Sequence, residues 1–181
     1  ACIALAQARY VDAGQHGAGF LAVADAAEAR RFAYCGYSWL ALGGMQLALR
    51  TDRLSALIMG GFPPIDGPYK EMFRVTAKTY EMSACTSAHG EGSGAYGEHT
   101  DDFDWSTVEV TMSEAQTKQF VTLYRHLQNF DDRAAQSGIA CPRLCFAGAA
   151  DKIEYGERWG DVRVDIVGPL IRRREEIEAL G

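Results

Sequence analysis

Apolar positions along the chain come in runs, and the runs switch between a helical and an extended period. In the segment from about Phe20 to Arg31, Leu21, Ala24 and Ala27, and likewise Phe20, Val23 and Ala27, fall at helical spacing. Phe32 to Cys35 reads as a short buried strand. Trp39 to Arg50 is apolar all round, which predicts a helix covered on both faces, and Thr51-Asp52 stops it. Leu54 to Met59 is an unbroken apolar run of the kind found in parallel strands buried on both sides. Gly60-Gly61-Phe62-Pro63-Pro64 ends that run.

The next fifty or so residues, from about 65 to 115, mix scattered Met and aromatic positions with a Gly-rich stretch at His89 to Glu98. They predict an irregular or partly helical excursion. A helix follows from Ser113, with Gln116 three residues on as its capping partner. Phe120, Leu123, Tyr124 and Leu127 form its apolar stripe. Ser137-Gly138 closes the helical region. Arg143 to Ala147 reads as a third strand after Pro142, and Gly148 to Asp151 as the loop leaving it. Gly168-Pro169 opens a last helix running to Leu180. Strand, helix, strand, excursion, helix, strand, helix is a parallel α/β pattern. In such sheets chemistry gathers beyond the carboxyl ends of the strands, where Ser38 and Asp151 both fall.

Composition narrows the function classes. The chain has 181 residues, 48% hydrophobic and 23% charged, and a net charge of −6, an ordinary globular balance. An acidic chain without a Lys/Arg stripe argues against nucleic acid as a partner. Arg172-Arg173-Arg174 is followed by Glu175-Glu176 and reads as a solvated helix face. The cysteines number five, an odd count without C-x-x-C, which predicts a reducing, cytoplasmic setting rather than a disulfide framework. Cys141 and Cys145 have no nearby His and read as core rather than metal ligands. No stretch is long and apolar enough to predict a membrane span. No flavin, nicotinamide or metal signature stands out, so neither cofactor nor metal is expected.

The richest segment is Phe32 to Pro64, where a strand runs through Gly36-Tyr37-Ser38 into a helix. A serine on a tight strand-to-helix turn projects its hydroxyl away from the backbone, beside a helix N-terminus that favours developing negative charge. The bland reading of Ser38 is a helix cap, and that of Asp151 a turn former.

GYSWLALGGMQLALRTDRLSALIMGG resembles the nucleophile elbow, following helix and next strand of the α/β-hydrolases. CPRLCFAGAADKIEYG resembles their later strand and acid loop. The resemblance implies a partial α/β-hydrolase fold, a parallel sheet flanked by helices with a lid-like insertion. Residues 1–64 would be the first part of the core with the elbow, 65–130 the lid, and 131–181 the rest of the core with the acid loop. By the same resemblance Ser38 is the nucleophile, Asp151 the orienting acid, and the Trp39 backbone N–H an oxyanion donor. It implies a serine hydrolase acting through an acyl-enzyme on a small carboxylic ester, thioester or lactone. Phe62, Tyr69 and Met72 are candidate pocket residues, each also readable as core. Asp66, after the second strand, is the rival acid.

The family's histidine follows one further strand, whereas His16, His89, His99 and His126 all precede Asp151. The resemblance therefore implies an internal piece of a longer hydrolase, with strands before Ala1 and the histidine beyond Gly181. Leu40 stands where the family usually carries a small residue, which motivates the alternative of a non-catalytic binding protein on this fold. A phosphate or nucleotide binder using Gly14 to Gly19 or Gly90 to Gly97 is a third, weaker expectation, because neither loop ends in Lys-Ser/Thr.

Overall fold

Three consecutive apolar runs become the strands of one parallel sheet, with the order β1-β2-β3. The computed structural model describes residues 13–87 and 112–180. β1 spans Phe32–Tyr37, β2 Leu54–Gly60 and β3 Arg143–Phe146. The register stacks Cys35 on Ile58 on Leu144, and Tyr37 on Gly60 on Phe146. The chain is thus mixed α/β, with a three-stranded parallel sheet flanked by helices.

Between β1 and β2 runs α2, Trp39–Ala48, whose residues from Ala41 to Ala48 are all buried. Its apolar surface on every side follows from this position, between the sheet and α1. Gly44 makes the close approach possible: a Cβ there would sit 2.4 Å from the Tyr34 ring. Tyr34, Leu42, Met45, Leu47, Leu57 and Met59 form the centre of the core. The other sheet face is barer than the apolar run of β2 predicted. Ala33, Cys35, Leu144 and Phe146 are exposed there, and Ile58 is half-buried. Alternation along each strand, not hydrophobicity alone, sorts these side chains between the two faces.

α1 occupies Ala13–Ala26, starting and ending earlier than the expected 20–31. Glu28 takes a positive φ of 54° and turns the chain out of the helix. The glycines Gly14 to Gly19 therefore lie in a helix rather than a phosphate-cradling loop, and Gly17 is buried near the Leu47 side chain. The Gly90 to Gly97 stretch lies outside the described residues.

The excursion contains a long helix, α3, Tyr69–Ser87, entered from Pro68. α4, Glu114–Leu127, begins at Ser113, where the expected capping box with Gln116 is formed in full. α5 is the short turn Asp132–Ala135. After β3 the chain makes an antiparallel hairpin of β4, Lys152–Tyr155, and β5, Val162–Asp165. Its inner residues Val162 and Val164 join Val75 of α3 and Trp159 in a second core cluster. The expected terminal helix is two helices, α6 at Val167–Arg172 and α7 at Arg174–Glu178. They break at Arg173, which adopts φ −110° and ψ 16°. Among the described residues no helix is long and apolar enough to cross a membrane.

Candidate functional site

The site is built around a turn that only glycine permits. A Cβ on Gly36 would lie 2.5 Å from the Leu40 carbonyl oxygen and 2.8 Å from the Ala41 nitrogen, so strand and helix meet with no room for a side chain. Two residues on, Ser38 is held at φ 57° and ψ −126°, a conformation L-residues rarely adopt. Its amide donates to the Gly60 carbonyl at 2.7 Å, and its carbonyl accepts from Ala41 N–H at 2.9 Å. The Ser38 side chain makes no capping bond to α2. Capping therefore does not account for this serine, because a capping serine sits in the extended region with its oxygen on the first-turn amides. Leu40 fits beside the turn half-buried, and its carbonyl accepts from the Tyr34 hydroxyl at 2.9 Å.

Ser38 opens onto a cavity of about 650 Å³. Trp39, Phe62, Met72 and Asp151 line the same cavity, so the topology joins five of the six residues singled out for the site. The sixth, Tyr69, lies in the core between the rings of Phe62 and Phe130 instead of on the wall. Trp39 opens α2, whose first-turn amides carry the positive end of the helix dipole. Its ring packs edge-on against Phe120 of α4 at 5.3 Å.

Asp151 closes a tight turn after β3, its amide donating to the Gly148 carbonyl at 3.0 Å. Its own carbonyl accepts from Ile166 and Val167 N–H, which ties the loop to the start of α6. Among the described residues its carboxylate bonds to no backbone amide, so the turn itself does not employ the side chain. What it does meet is the Tyr37 hydroxyl, a long contact at 3.5 Å. Burial, the Asp151 charge and this contact together hold the Tyr37 phenol above its ordinary pKa. The Tyr37 ring lies over Gly60 and Gly61, where an added Cβ would come within 2.7 Å of it.

The rival acid is elsewhere. Asp66 pairs with Arg173 at 2.8 Å and Arg133 at 3.4 Å on the surface, and does not line the cavity. The bond from Arg173, ahead of the charges of both arginines, holds its carboxyl below the usual carboxylate range.

His126 is exposed on α4 and is not part of the cavity wall. The His89 and His99 positions fall outside the described residues, as does the side chain of His16. Among the described residues no cluster of three or more His, Cys, Asp or Glu could hold a metal ion. The described cysteines Cys35, Cys141 and Cys145 are free thiols, and burial pushes Cys145 up to about 11.

Sequence reasoning missed most of the wall. Val75, Thr76 and Thr79 of α3 follow Met72 at helical spacing, a stripe legible in the sequence but hidden inside a segment read as irregular. Ile153 and Tyr155 come from β4, whose alternation with Lys152 and Glu154 was a strand signal. No known protein family, curated protein or solved structure matches the chain.

Proposed function

We propose that the chain carries the nucleophile and acid of a serine hydrolase of the α/β-hydrolase type, acting on a small ester-like substrate. The observation that carries this reading is the backbone of Ser38. A strained turn that does no capping work, mounted on a glycine-only approach at the carboxyl end of β1, has a chemical rather than a local reason to hold a serine there. In the reaction, the Ser38 hydroxyl oxygen attacks the acyl carbon while its proton passes to a base. The Trp39 N–H stabilises the oxyanion of the tetrahedral intermediate. The protonated base returns the proton to the departing alcohol, leaving an acyl-serine. Water then adds by the same steps and releases the acid and the free serine. Asp151 orients the base, a histidine from outside the described side chains. α3 and α4 serve as the lid, and the setting is the reducing cytoplasm that the cysteines suggest.

A fluorophosphonate tests this directly, because it phosphonylates only an activated serine. The expected result is a single adduct mapped to Ser38 by mass spectrometry and lost in Ser38→Ala. A folded, full-length protein that stays unlabelled overturns the reading. That outcome favours the second reading, a non-catalytic binding protein on the same fold, which the absence of an imidazole among the described cavity residues supports.

A further inference from the structure

Most polar groups around the cavity are already satisfied within the protein. Thr76 Oγ1 donates to the Met72 carbonyl at 2.7 Å. Thr79 Oγ1 donates to the Val75 carbonyl at 2.9 Å and accepts from Trp159 Nε1 at 3.0 Å. Thr117 Oγ1 lies 2.7 Å from Ser83 Oγ and reaches the Glu114 carbonyl at 3.1 Å. Each of these hydroxyls has a partner for its proton within the protein. Among the described residues the charged ones on the wall are Asp151 and Lys152, adjacent where the loop after β3 enters β4. Beyond that rim the described residues of the wall carry no charge.

Two hydroxyls break the pattern. Tyr124 of α4 and Tyr155 at the end of β4 both line the cavity, and neither phenol makes a hydrogen bond among the described residues. Tyr124 is only 1% exposed. Among the described residues the sealed side-chain atoms without a partner are those of Gln46, Tyr69 and Arg143, and the Tyr124 and Tyr155 hydroxyls are not among them. What little of Tyr124 is open is open at the cavity it lines. Burial raises both phenols above their ordinary pKa, and Tyr155 lies close enough to raise Tyr124 further, so both remain protonated donors. Tyr155 stands four residues past Asp151, roughly 13 Å along an extended strand. Tyr124 lies one turn beyond Phe120, whose ring covers Trp39. The two tyrosines therefore enter the cavity from elements other than those that carry Ser38 and Trp39.

We propose that Tyr124 and Tyr155 form a paired-donor subsite for an uncharged oxygen acceptor, a ketone or ether oxygen, carried on the apolar part of the ligand away from the reacting carbonyl. The proposal rests on the serine-hydrolase reading for its substrate class: a neutral, mostly apolar ester with a second oxygen function. Buried donors left unpaired penalise a ligand lacking that oxygen more than they reward one bearing it, which makes the pair a device for selectivity.

The test is a calorimetric titration of the Ser38→Ala protein with acetophenone and with ethylbenzene, which differ by one carbonyl. Removing the Ser38 hydroxyl eliminates it as a competing donor and separates this readout from catalysis. Acetophenone is expected to bind about fivefold to tenfold more tightly, one to two net hydrogen bonds. Adding Tyr124→Phe or Tyr155→Phe should each reduce that preference severalfold, with ethylbenzene binding unchanged and folding verified by thermal melting. Equal binding of the two ligands, binding of neither, or a preference that survives the double Phe variant overturns the proposal. The comparison within Ser38→Ala protein stands even if a Phe variant fails to fold. Failure of fluorophosphonate labelling leaves this result untouched, so the two readings fail separately.

Discussion

Among the described residues two serines stand at helix starts, and they are not the same object. Ser113 precedes α4 with φ −64° and ψ 159°, its side chain accepts from the Gln116 backbone amide, and its own backbone N–H donates in return to Gln116 Oε1. Ser38 precedes α2 with φ 57° and ψ −126° and makes no capping bond. One position satisfies every local preference of serine. The other violates them on a backbone that the chain strains to maintain. Strain of this sort costs on the order of 1–3 kcal/mol and persists only where its surroundings impose it. The difference teaches that residue type at a helix start says little until the backbone angles and the side-chain partner are known.

Substitutions can sharpen that contrast. The largest effect is expected at Gly36→Ala, where a methyl would meet the Leu40 carbonyl carbon at 2.6 Å. Backbone cannot move aside as a side chain can, so urea denaturation should show a loss of about 2–3 kcal/mol, together with loss of fluorophosphonate labelling. Ser113→Ala should cost about 1 kcal/mol in the same assay, the ordinary value of a cap. Ser38→Gly should go the other way, with a net gain of about 1 kcal/mol, because relief of the positive-φ strain outweighs the added chain entropy. Ser38→Ala should leave stability within about 0.5 kcal/mol, since no side-chain bond is lost. If Ser38→Ala destabilises as much as Ser113→Ala, the two serines are alike after all and the chemical reading of Ser38 loses its basis.

The fold was legible where periodicity is strong and local. β1, α2, β2, the α4 cap and β3 all lie within a few residues of where hydrophobic runs and turn residues put them. α3 escaped because its wall-facing stripe includes Thr76 and Thr79, polar by composition yet turned inward with their hydroxyls bonded to the preceding turn. The β4–β5 hairpin escaped because Gly156 to Asp161 inserts a short helical turn between its strands, and no two-residue turn signal joins them. The break at Arg173 has no local signal at all. It coincides with the ion pair from Arg173 to Asp66, a residue over a hundred positions earlier.

The candidate site divides along the same line. The order of residues was enough to single out Ser38, Trp39 and Asp151, because a strand-to-helix turn and a post-strand loop are short-range events written in consecutive letters. Which residues enclose the space above them is a long-range matter. Tyr69 looked as eligible as Met72, and packing sent its ring into the core. Tyr124 and Tyr155 belonged to unrelated segments until α4 and the hairpin closed on one chamber. Local backbone preference acts over a few residues and can be read in order, whereas a cavity exists only once distant surfaces have been brought face to face.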